Sequence, residues 1–244
     1  MSKGTLRQLL LITDGCSNQG EDPTAMAALA KEQGITVNVI GVVENDTIAE
    51  NGMKEIENIA LSGGGISQIV YAKQLSQTVQ MVTRQAMTQT IQGVVNKELQ
   101  SILGEDEEMK DLSPEKRGEV MEVVDELGET LNLEVLILVD TSASMRSKLP
   151  TVQDALVDLS LSLGARSGSN RFALYSFPGK KRATEKILDW NPEINVIHEV
   201  LSKLSSGGVT PTGPAMREAL TYFKRTRRRS RMEEDDLFIE ESGS

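Results

Sequence analysis

The stretch VLILVDTSASM, residues 135–145, decides the fold. Its first five residues are apolar without interruption. That is the pattern of a strand buried on both faces, because a strand with one wet face alternates polar and apolar residues. The run ends on an acid, Asp140, and passes into a small, hydroxyl-rich turn, Thr141-Ser142-Ala143-Ser144. Such a unit ordinarily opens an α/β domain, yet here it begins past the midpoint of a 244-residue chain. A similar unit stands near the start: LLLITDGCSNQG, residues 9–20, whose strand also ends on an acid, Asp14.

Around both units strands alternate with helices. After the first, Asp22 and Pro23 read as an N-cap and first helical residue, and Gly34 as the helix stop. ITVNVIGVV (35–43) is rich in β-branched residues and predicts a second strand. MKEIENIALSGGG predicts a short helix and ISQIVYA a third strand. After the second unit come the amphipathic helix LPTVQDALVDLSLSLGA, the strand RFALYSF, a short strand at KILDW, a helix at PEINVIHEVLSKLSS, the glycine-rich loop GGVTPTGP and a last helix, AMREALTYFKR. Strands separated by helices imply parallel pairing through crossovers. The expected fold is therefore α/β, a doubly wound, mostly parallel sheet flanked by helices.

The middle of the chain is different. Leu75, Val79, Val82, Ile91, Val95, Leu99 and Ile102 fall mostly at helical spacing, with Gly93 as a weak point. The acidic run GEDEEMKD breaks the pattern. Ser113 and Pro114 then start another helix that runs to about Gly128, so a helical hairpin is expected, its first arm about 45 Å long if unbroken. The tail RTRRRSRMEEDDLFIEESGS pairs a basic with an acidic block and reads as largely disordered. The expected units are residues 1–83, a helical linker over 84–130, residues 131–225, and a charged tail over 226–244.

Composition narrows the function. A net charge of −10 and a pI of about 4.8 disfavour nucleic acid as a partner of the whole molecule. One cysteine, Cys16, precludes an intramolecular disulfide. The apolar run before Thr13 is too short for a signal-peptide core or a membrane span, and no other segment approaches one. These features predict a cytoplasmic protein with no membrane association.

In a doubly wound sheet, ligands bind outside the carboxyl ends of the strands where strand order reverses. If the strands ending at Asp14 and Asp140 are neighbours there, both acids face one crevice. Ser142 and Ser144, at alternate turn positions, can aim their hydroxyls the same way, and Thr210 can add a third. No Cys or His cluster suits zinc. A hard-oxygen set of this kind suits Mg²⁺, which keeps several waters and takes one or two carboxylates.

Asp140-Thr141-Ser142-Ala143-Ser144 resembles the D-x-S-x-S signature of von Willebrand factor type A (VWA) domains. Thr210 in GGVTP resembles the family's loop threonine, and Asp14 in ITDG its second aspartate. The resemblance implies a metal-ion-dependent adhesion site (MIDAS) holding Mg²⁺ or Mn²⁺. It implies direct ligation by Ser142, Ser144 and Thr210, action largely through bound waters by Asp140 and Asp14, and a protein partner that offers a carboxylate. Family members in bacteria often work beside ATPases or in multiprotein assemblies. The order departs from the family's, in which D-x-S-x-S precedes the threonine loop and TDG comes last. The chain thus resembles a circularly permuted VWA domain whose hairpin links the usual termini, a rearrangement favoured because domain ends lie close together. A domain-swapped homodimer satisfies the same pattern.

Other readings compete. Taken alone, the Asp140–Ser144 turn is a polar helix cap. Thr212 rivals Thr210, which is preferred for its place before proline. Asp46 and Asp189 read as surface acids. Cys16 has no evident base, and His198 lies mid-helix with no acid–serine arrangement, so a hydrolase is disfavoured. SGGG and GGVTPTG lack the lysine of a P-loop. Ser230 among arginines resembles a basophilic kinase target. A metal-independent scaffold working through the hairpin or tail is the alternative function, and a metal-dependent hydrolase a weaker one. No catalytic residue is assigned.

Overall fold

The computed structural model describes residues 4–15, 17–43, 50–103, 109–191 and 209–224. The expected readings at Cys16, Asp46, His198 and Ser230, the helix over 192–206 and the tail lie outside the described residues.

Among the described residues six strands form one sheet: β1 (Thr5–Thr13), β2 (Thr36–Val43), β3 (Gly64–Tyr71), β4 (Asn132–Asp140), β5 (Asn170–Phe177) and β6 (Glu185–Asn191). Their order is β3-β2-β1-β4-β5-β6. All pairs are parallel except β5–β6, which is antiparallel. The chain walks outward from β1 to one edge and outward from β4 to the other. Strand order therefore reverses between β1 and β4, and both halves of the sequence join one sheet within one chain.

The helices follow from that reversal. Right-handed crossovers running in opposite directions must lie on opposite faces. Helices α1 (Pro23–Glu32) and α2 (Glu50–Ser62) cover one face, together with α6 (212–224), and α5 (Leu149–Gly164) covers the other. The uninterrupted apolar strands serve both layers. Leu9 and Leu11 of β1 share one core with α1, α2 and α6, whereas Leu10 and Ile12 share the other with α5 and with the helical residues 75–87. In β4, Leu136 and Leu138 face the first layer, and Val135, Ile137 and Val139 the second. The caps are as expected. Asp22 accepts from Thr24 N–H at 2.9 Å, Ser113 caps α4 (Pro114–Thr130), and Gly34 closes α1 with φ +73°.

Helix α3 (Leu75–Leu103) runs unbroken through Gly93 for 29 residues, about 43 Å. It changes neighbours along its length. Leu75, Val79, Val82 and Met87 join α5 over the sheet, whereas Ile91 packs with Val124 of α4 and with Met109. One continuous helix thus crosses the boundary expected at residue 83, half as a sheet cover and half as the hairpin arm. No described helix is long and apolar enough to cross a membrane.

Candidate metal centre

The two strand-end acids meet at the switch point. Ile12 of β1 pairs in register with Val139 of β4, and one residue further Thr13 Oγ1 donates to Asp140 Oδ2 at 2.7 Å. Asp140 is fully buried. Its other oxygen, Oδ1, accepts from Ser142 N–H at 2.8 Å. Burial pushes this carboxyl above the ordinary aspartate value. The bonds from Ser142 and Thr13 pull it back in part, and the negative charge of Asp14 raises it again. Both oxygens are thereby fixed in direction on a group that favours a positive neighbour.

The turn after β4 is a single 3₁₀ turn over Ala143–Met145, closed by Met145 N–H donating to Ser142 O at 3.0 Å. It sets Ser142 Oγ 3.2 Å from Ser144 Oγ. Ser144 Oγ in turn donates to Asp14 Oδ1 at 2.9 Å, across 130 residues of sequence. Four of the five expected donors, Asp14, Asp140, Ser142 and Ser144, therefore occupy one cluster.

The fifth, Thr210, is tied to the loop that follows Asp14. Asn18 braces its backbone twice: Asn18 Oδ1 accepts from Thr210 N–H at 2.9 Å, and Asn18 N–H donates to Thr210 O at 3.2 Å. Ser17 Oγ adds a donor to the same carbonyl at 3.4 Å. Below them the loops interlock. A Cβ on Gly213 would stand 1.8 Å from Glu21 O, and one on Gly20, whose φ is +88°, would stand 2.2 Å from Pro214 Cγ. The rival Thr212 is buried, and its hydroxyl has no hydrogen-bond partner among the described residues. Asp189 is exposed on β6 and pairs with Lys186 at 2.9 Å, as a surface acid should.

The donor set fits a small hard cation. Among the described residues no three His, Cys, Asp or Glu side chains gather as a metal cluster, so the oxygen chemistry rests on hydroxyls and the two aspartates. Adjacent ligands of an octahedral Mg²⁺ at about 2.1 Å are spaced about 3.0 Å apart. The serine pair, the two expected direct ligands in the cluster, stands at 3.2 Å and approximates that spacing.

Four residues the sequence reading passed over also shape the site. Thr13 and Asn18 join the two halves. Lys148 sits 8% exposed, with its Nζ paired to Asp14 Oδ2 and bonded to Ser144 O at 3.0 Å. Glu55 of α2 accepts from Ser17 N–H at 2.6 Å and supports the loop from behind. Thr13 and Asn18 stand in the quoted stretch LLLITDGCSNQG, whose polar residues on either side of Asp14 were the available signal. Lys148 and Glu55 carried none.

Burial pushes the Glu55 carboxyl above 4.5, against the Ser17 bond that favours its charged form, and Asp22 adds to the rise. The native protein therefore takes up a proton at a pH where the unfolded chain does not. The cost of the buried charge is present in full above the raised value and is relieved as pH falls toward 4.5. Glu55→Gln keeps an acceptor for Ser17 without the charge. It is expected to match or exceed wild-type stability at pH 7, with the difference closing near pH 4.5, as urea midpoints at the two pH values would register.

Comparison with known proteins agrees with this architecture. Residues 2–85 and residues 135–234 each match a model of the von Willebrand factor type A domain. The chain is 64% identical over 236 residues to the uncharacterized protein YabS of Bacillus subtilis (strain 168), covering 97% of this chain and 96% of that one. It is also similar to the crystal structure of an uncharacterized protein from Alicyclobacillus acidocaldarius, with 42% identity, a TM-score of 0.85, and coverage of 93% of this chain and 97% of that one. The switch-point cluster, the two matched segments and these full-length relatives place the chain in the von Willebrand factor type A domain family.

Proposed function

We propose that this protein is a non-enzymatic interaction module that binds Mg²⁺ or Mn²⁺ at the switch point and, through it, an acidic side chain of a protein partner. The observation that carries this reading is the hydrogen-bonded chain Ser142–Ser144–Asp14 beside the braced Asp140. Ser142, Ser144 and Thr210 would hold the ion by their hydroxyls. Asp140 and Asp14 would act largely through bound waters. When bound, the ion supplies a Lewis-acidic coordination position for an outside carboxylate. The chain's own residues set the approach. Thr13 and Ser142 fix Asp140, and Asn18 fixes the Thr210 loop against the loop of Asp14.

The same reading treats the domain as circularly permuted. The β1–β3 segment supplies its second half, β4 to α6 its first half, and the hairpin of α3 and α4 the joining segment. Residues 1–83, 84–130, 131–225 and 226–244 are the corresponding units. A cytoplasmic setting and a place beside an ATPase or in a multiprotein assembly accord with it.

Isothermal titration of Mg²⁺ and Mn²⁺ into the full-length protein tests the site, with folded Asp14→Asn and Asp140→Asn variants alongside. One stoichiometric site is expected, with affinity lowered at least about 100-fold in each variant, or roughly 2.7 kcal/mol. Undiminished binding in Asp14→Asn would show that the two sequence halves do not share one ion. Absence of binding in the wild type would favour the scaffold working through the hairpin or tail.

A further inference from the structure

Lys148 has no part in the metal reading, yet it is held where the ion's charge is needed. Lysine is almost never this buried unless paired. Here the pair is shielded, with side-chain exposures of 10% for Lys148 and 6% for Asp14, so water does not screen it as it screens a surface ion pair. Both oxygens of Asp14 are occupied: Oδ1 by the Ser144 hydroxyl and Oδ2 by the Lys148 ammonium. The ammonium also donates to the Ser144 carbonyl at 3.0 Å, which locks the turn that carries both serines. The backbone of Lys148 is anchored at the start of α5. Its N–H donates to Met145 O at 2.9 Å, and its carbonyl accepts from Val152 N–H at 3.0 Å. Only the four-carbon stem has freedom to swing.

We infer that Lys148 is a tethered cation that competes with the divalent ion for Asp14. The ammonium keeps Asp14 and Ser144 assembled, and an ion entering the cluster displaces it, because a monovalent and a divalent cation repel strongly at this separation in a shielded site. This inference rests on the metal reading given under Proposed function. Its consequence is a raised concentration threshold: the wild type binds the ion more weakly than its oxygen donors alone would allow. The same exchange swings a positive side chain out of the cluster whenever the ion is taken up.

The direction of one effect separates this role from a structural one. A lysine that merely props Asp14 would, on removal, loosen the site and weaken ion binding. A competitor, on removal, strengthens it. Mg²⁺ is titrated calorimetrically into EDTA-stripped full-length wild type, Lys148→Met and Lys148→Arg, and thermal unfolding is followed in EDTA and in saturating Mg²⁺. Lys148→Met is expected to bind Mg²⁺ at least about tenfold more tightly. Its Tm in EDTA is expected to fall by roughly 5–10 °C and to recover with Mg²⁺, because the shielded Asp14 otherwise loses its counter-charge. Lys148→Arg keeps the charge and is expected to stay near the wild type in both measurements. Equal or weaker binding by Lys148→Met, with the wild type binding normally, overturns the competition and leaves the metal site standing. Binding by neither protein overturns both readings. Should the Met variant fail to fold in EDTA, the wild type decides the matter. Labelling of Lys148 by acetic anhydride, read by mass spectrometry against the exposed Lys116, is expected to accelerate in saturating Mg²⁺. An unchanged rate overturns the inference.

Discussion

Gly213→Ala is expected to unfold the seat of the Thr210 loop, lowering stability by about 3 kcal/mol and Mg²⁺ affinity by at least about tenfold. The added Cβ would lie 1.8 Å from Glu21 O and 2.6 Å from Glu21 C, both backbone atoms. No rotamer change relieves such a contact, so one of two loops must move. The loop of residues 17–22 carries Asn18, the brace on Thr210, and Arg217 of α6 ties back to Glu21 at 2.6 Å. Shifting either loop pulls Thr210 away from the Asp14 side of the cluster. Denaturant unfolding combined with ion titration measures both effects. A variant that loses stability but keeps full affinity would show that the Thr210 loop is not part of the ion site.

Arg166→Ala is expected to cost a similar amount, about 3 kcal/mol, and to leave ion affinity within about twofold of the wild type. Arg166 is 6% exposed and joins three elements. Its Nε donates to Gly128 O at 2.9 Å, its Nη2 to Gly128 O at 2.7 Å and to Leu131 O at 2.8 Å, and its Nη1 to Asn170 Oδ1. The guanidinium thus satisfies carbonyls left open at the C-terminal end of α4 and complements that helix's dipole. Removal leaves those part-buried carbonyls without their donor. The residue lies just before β5, at the end of the sheet opposite Asp140, about 26 Å away along an eight-residue strand. Stability and ion binding should therefore separate here, where at Gly213 they fall together. The expected Tm drop is roughly 6–12 °C for a chain of this size.

How much of this was legible from residues alone depends on the range of the interaction. The uninterrupted apolar runs 9–12 and 135–139 announced strands covered on both faces, and the sheet has both faces covered. The caps at Asp22 and Ser113 are local chemistry and were readable for that reason. The reversal rule for doubly wound sheets made the meeting of Asp14 and Asp140 conditional on β1 lying beside β4, and the strand pairing meets that condition. The partners of Thr13, Asn18 and Lys148 lie 127, 192 and 134 residues away. No spacing pattern reports a contact over that range. Helix α3 shows the same limit differently. Its 3.6-residue period is identical whether it meets the sheet through Val79 and Val82 or meets α4 through Ile91, so periodicity predicted the helix but not its change of neighbour.

The central position of β1 bears on how the chain comes off the ribosome. Strands β1 to β3 emerge first, and until β4 appears β1 is a long, apolar edge with unpaired backbone groups. Thr13 and its partner Asp140 are 127 residues apart, a delay of roughly 6–25 s at ordinary translation speeds. Over that interval the nascent N-terminal half is open to pairing with another copy of itself or to capture by a chaperone. Helix α3, synthesised next, covers one face of that half before its true neighbour strand exists. High contact order at the centre of the sheet thus makes yield during synthesis, and not only final stability, sensitive to substitutions in α3.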